Sequence, residues 1–148
     1  MKRSLAPVAT SRIRVAGPLL LMAGLYWLSA LPGEPLPNDP ELYRLFYWVA
    51  PVAQNALHVP AYALLAFSWH WALRAWLNTP HARPVIAFAI ALSYGLFDEW
   101  HQSFVPGRFA SLTDVALNTL GATLGIWLAG WFESRTRKAQ QDGRKRRE

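Results

Sequence analysis

"LTDVALNTLGATLGIWLAGWF", residues 112–132, carries a single charged side chain, Asp114. A helix needs about 20 predominantly apolar residues to cross the hydrocarbon core of a bilayer, and this run has that length. Its reading as a membrane span decides how the rest of the chain is read. Working outward, residues 15–31, 45–73 and 84–97 contain no Asp, Glu, Lys or Arg. Residues 133–148 hold seven Lys/Arg and three Asp/Glu. A mean hydropathy of only +0.10 is therefore an average over apolar stretches and charged ends. The expectation is an all-α integral membrane protein, a bundle of four transmembrane helices at about 15–31, 56–77, 84–104 and 112–132. A soluble protein built from the same helices would have little polar surface to offer water.

The 148 residues suffice for one domain. Residues 1–132 are read as that domain, and 133–148 as a basic cytoplasmic tail, disordered by composition. With no cysteine there is neither a disulfide frame nor thiolate chemistry. A pI near 10.2 admits nucleic acid as a partner. The basic residues, however, flank apolar runs, where they orient a membrane protein and meet anionic headgroups. Lipid is the expected partner and nucleic acid is not.

Loop charges set the orientation. Lys2, Arg3, Arg12 and Arg14 precede the first run, and Arg74 and Arg83 lie between the second and third. The segment after the first run carries Glu34, Asp39 and Glu41 against Arg44. By the positive-inside rule both termini are cytoplasmic, and the first and third loops face outward. A cleaved signal peptide is the other reading of the first run, and it leaves the remaining topology unchanged. Residues 41–49, "ELYRLFYWV", place Leu42, Leu45, Phe46 and Val49 at helical spacing, as in a helix lying on the outer surface. A plain loop fits that segment as well. Trp48 and Trp100 fall near the outer interface, and Trp69, Trp71, Trp76, Trp127 and Trp131 near the inner one.

With that orientation the polar residues of the spans gather at one level. Asn55, His58 and Tyr62 share a face of the second helix at i, i+3, i+7. Asp98, Glu99, His101 and Gln102 end the third. Arg108 is in the outer loop. Asp114, Asn118, Gly121 and Gly125 form one stripe on the fourth, and the two glycines permit close approach of another helix. A charge at membrane depth is costly and pairs or functions, so Glu99 is read as the partner of Arg108 across the short loop, with Asp98 and Asp114 competing. Local readings stand beside this one. Ser111-x-x-Asp114 resembles a capping box, His58 suits a hydrogen-bonded core position, and Asn118 suits inter-helix glue. Asp98, one step round the helix from Glu99, is read as marking the exit into water. His58, Asp98, Glu99, His101 and Asp114 are all metal-ligating types, yet no ligand motif such as HExxH joins them. No metal and no cofactor is expected.

The order E-x-x-Q-x-F-x-P-x-R, here Glu99, Gln102, Phe104, Pro106 and Arg108, followed by D-x-x-x-N-x-x-G, here Asp114, Asn118 and Gly121, resembles the VanZ-like family of small bacterial membrane proteins. His58 and Tyr62 match the family's H-x-x-x-Y element. The resemblance spans about residues 54–128. Where the family often has Asp-Lys ahead of that histidine, this chain has Gln54-Asn55. The resemblance implies a multi-pass protein of the bacterial cytoplasmic membrane, and the family's namesake is associated with low-level teicoplanin resistance. The expected binding residues are His58, Tyr62, Glu99, Gln102, Arg108, Asp114 and Asn118, facing an anionic lipid headgroup or cell-wall precursor. Two other classes stay open. One is a membrane enzyme on a lipid-linked substrate, with Glu99 as base and His58 as acid. The other is a structural or assembly protein whose polar cluster locks the bundle.

Overall fold

The computed structural model describes residues 8–33 and 55–147. Among these residues the fold is all-helical, without a strand. Four long helices follow one another: α1 (Val8–Ser29), α2 (His58–Leu73), α3 (Ala82–Gln102) and α4 (Leu112–Lys145). The expected surface helix at 41–49, Trp48 and Gln54 lie outside the described residues. Short connections, 74–81 and 103–111, make α2, α3 and α4 run alternately up and down.

α2 and α4 form the most closely packed pair, and α1 rests on α2 and α3. Glycine makes the α2–α4 contact possible. A Cβ on Gly121 would collide with the Val59 carbonyl, and one on Gly125 with the Ala63 carbonyl. Asp114, Asn118, Gly121 and Gly125 are all buried, as their shared stripe implied. Among the described residues, three of the six in the buried core cluster are alanines: Ala66, Ala91 and Ala122 pack around Tyr62, Leu65 and Tyr94. Large apolar side chains instead point out, among them Leu20, Leu64, Val85, Leu96, Trp100, Leu124, Trp127 and Phe132.

By length and composition, among the described residues only α4 clearly suffices to cross a membrane. The apolar part of α1, Ile13–Ser29, is shorter. α2 counts 16 residues, and α3 includes Arg83, Asp98 and Glu99.

Two expectations change. α1 starts at Val8 rather than near 15, with Pro18 inside it. The tail expected as disordered is helical, since α4 continues to Lys145. No proline interrupts 112–147, and good helix formers such as Lys, Arg, Gln and Ala fill 135–141. Glu133 also bonds Arg137 one turn on, at 3.0 Å.

Candidate functional site

At one end of the bundle the start of α2, the end of α3 and the start of α4 bring polar side chains together. His58 opens α2, and its Nδ1 lies 2.8 Å from Asn118 Oδ1 on α4. With the Asn118 oxygen facing the ring, an acceptor only, the tautomer that fits this bond carries its proton on Nδ1 and has its lone pair on Nε2. The ring stacks over Tyr62 one turn on, with an interplanar angle of 8°. Tyr62 is 1% exposed, and its hydroxyl donates to Asp98 Oδ2 at 3.4 Å. Gln102 Nε2 donates to the same oxygen at 3.2 Å. Gly95 lets these groups meet, because a Cβ there would stand 3.1 Å from the Tyr62 ring and 3.2 Å from Asn118.

Glu99 does a different job. The amide of Ser111, the N-cap of α4, donates to Glu99 Oε2 at 2.8 Å. The Ser111 hydroxyl in turn accepts from the amides of Thr113 and Asp114. In a capping box the N-cap amide is taken by the side chain three residues on. Here Glu99 from the neighbouring helix takes it, and the positive end of the helix dipole favours that carboxylate. Capping therefore does not account for Asp114, which is buried with Oδ1 lacking a hydrogen-bond partner among the described residues.

The Arg108–Glu99 pair expected from the sequence does not form. Arg108 Nε donates to the Leu31 carbonyl at 3.0 Å, past the end of α1. Gly33 N donates to the Pro106 carbonyl at 3.0 Å, which ties the α3–α4 loop to the same point, and Gly107 turns that loop at φ 73°. Carbonyls at a helix C-terminus attract a cation, while Glu99 is already served by a backbone amide. Among the described residues every carboxylate–cation pair involves Glu133, at the opposite end of α4. There Glu133 accepts from His70 at 3.0 Å and from Arg74 Nε at 2.9 Å, and Arg83 lies 3.9 Å away.

Of the expected site residues, His58, Tyr62, Glu99, Gln102, Asp114 and Asn118 converge. Arg108 sits half-buried in the loop above them, turned to α1. Asn55 is exposed, one turn ahead of α2, and does not extend the His58–Tyr62 face. His101 leaves the cluster to lie 4.5 Å from the Tyr26 ring of α1. Asp98, set aside in the sequence as a helix exit, is 5% exposed and belongs at the centre. Its i, i+4 spacing from Gln102 carried that signal. One donor atom each from His58, Asp98 and Glu99 lies within 4.8 Å of the other two, so this set has the proximity of a metal-binding group although no sequence motif announced it.

No curated protein and no solved structure matches the chain. The family model described as VanZ/LLP1 matches residues 10–133. That match runs from α1 into α4, wider than the motif-bearing 54–128, and encloses every residue of the cluster. The chain belongs to the VanZ/LLP1 family.

Proposed function

We propose that this is a multi-pass protein of the bacterial cytoplasmic membrane. Its four helices cross the bilayer with both termini inside, and its polar end opens outward to bind the anionic headgroup of an envelope lipid or lipid-linked cell-wall precursor. The observation that carries this reading is the inverted distribution of side chains. Leu, Trp and Phe cover the outside of the helices, while Asp98, Glu99, Asp114 and Asn118 lie inside one end beside the half-buried His58. Large exposed apolar surfaces mark membrane or partner contacts, and ionisable residues inside such a bundle mark a working site. Arg108, at the rim, supplies a guanidinium suited to a phosphate or carboxylate. The altered course of Arg108 separates roles: it meets the anion, and the carboxylates below it do not hold it.

Native mass spectrometry of the protein extracted in mild detergent tests the reading. Wild type is expected to retain an anionic lipid that Arg108→Ala loses. Identical lipid profiles for the two would remove it. A role in glycopeptide susceptibility would follow only if the retained lipid is a cell-wall precursor.

A second reading, a membrane enzyme on a lipid-linked substrate, is favoured by the closeness of His58 to two carboxylates. Glu99→Gln keeps the shape and removes the base. Full function in that variant, with loss in Arg108→Ala, excludes the enzyme.

A further inference from the structure

We propose that His58, Asp98 and Glu99 bind a divalent metal ion, zinc or manganese by chemical class, at the polar end of the bundle. Three observations meet here. The first is proximity: donor atoms of the three residues lie within 4.8 Å of one another. Three donors around one ion at roughly 2.1–2.2 Å stand roughly 3.5–3.7 Å from one another, so side-chain movement of about 1 Å closes the set.

The second is an unfilled valence. Asp98 spends Oδ2 on Tyr62 and Gln102, and Glu99 spends Oε2 on the Ser111 amide. Asp98 Oδ1 and Glu99 Oε1 are buried without a hydrogen-bond partner among the described residues, on side chains 5% and 4% exposed. No described Lys or Arg pairs with them, because all four ion pairs sit on Glu133. Buried carboxylates normally pair or coordinate a metal.

The third is the histidine. Asn118 takes its Nδ1–H and leaves Nε2 with a lone pair. Metal-binding histidines characteristically give their other ring N–H to such an acceptor, which fixes tautomer and ring orientation.

One imidazole suits zinc and the two carboxylates suit manganese as well, whereas magnesium and calcium prefer oxygen alone. Two carboxylates, a neutral imidazole and a 2+ ion sum to zero charge, which suits an apolar bundle. An ion held there leaves coordination positions for an anionic group, so it would also explain how a headgroup approaches acidic residues. The site itself stands on geometry and does not depend on the lipid reading.

The test uses the full chain in detergent, stripped with a chelator and then titrated with Zn2+, Mn2+ and Mg2+. Bound metal is read by elemental mass spectrometry after desalting and by calorimetry. Wild type is expected to hold about one equivalent of Zn2+ or Mn2+ and to bind it more tightly than Mg2+. Asp98→Asn, Glu99→Gln and His58→Ala should each weaken binding about tenfold or more, and Asp142→Asn, an exposed carboxylate on the tail helix, should not. Absence of binding in wild type overturns the proposal even if the variants fail to fold. So does tighter binding of Mg2+, or equal binding in a folded Glu99→Gln. Lipid retention is scored separately: no metal with Arg108-dependent lipid removes this inference alone, and metal without lipid removes only the proposed ligand.

Discussion

Glu99 reaches Ser111 from another helix, so one side chain both caps α4 and lines the polar cluster. The cap is an ordinary one in energy. Ser111→Ala should cost about 1 kcal/mol, and Ser111→Asp should restore most of it, both read by thermal unfolding in detergent. An unchanged midpoint in Ser111→Ala would mean that Glu99 alone fixes this helix start. Legibility differed from residue to residue here. Glu99, Gln102, Asp114 and Asn118 announced themselves by polarity within apolar runs. Adjacency to Glu99 suggests a helix exit for Asp98, whereas its bond to Tyr62 depends on where α2 lies. Charge attraction across a short loop points Arg108 to Glu99, but that attraction is local and the end of α1, where Arg108 binds, is not.

At the scale of elements, glycines of one helix behave oppositely. Gly125 faces Ala63 at the α2–α4 contact, while a Cβ on Gly130 would meet nothing within 4 Å. Gly125→Ala should therefore destabilise, by about 1–3 kcal/mol through overpacking. Gly130→Ala should stabilise by up to about 1 kcal/mol through helix propensity. Unfolding midpoints of equal sign for the two would contradict the assigned interface. The stripe 114–118–121–125 made this face legible in the sequence, because helical period alone fixes which positions share a side. It did not name the partner. That α2 fills the role follows from the carbonyls of Val59 and Ala63 lying against the glycines.

Over the whole molecule the two ends of the bundle differ in chemistry. At one end the carboxylates form no ion pair among the described residues, and the other holds Glu133 among His70, Arg74, Arg83 and Arg137. Glu133→Gln should loosen α2 from α4 and destabilise the bundle by about 1–3 kcal/mol, read as a lower unfolding midpoint, less than for a fully buried pair because Arg74 and Arg137 are partly solvated. Native cysteine is absent, so single cysteines report the proposed topology cleanly. Phe109→Cys, in the exposed α3–α4 loop, should react with an impermeant maleimide on intact cells. Gly143→Cys, near the end of α4, should react only after permeabilisation. The reverse pattern would invert the orientation.

The sequence by itself determined the helical class, the inward stripe on α4 and most of the polar residues that collect at one end of the bundle. These follow from composition and helical period, which act along one chain segment at a time. Tertiary structure alone decided which oxygen of Asp98 and of Glu99 is satisfied, that Arg108 serves α1 rather than Glu99, and that His58 joins both carboxylates within 4.8 Å. Those outcomes depend on distances between helices far apart in sequence, and no spacing within a helix encodes them.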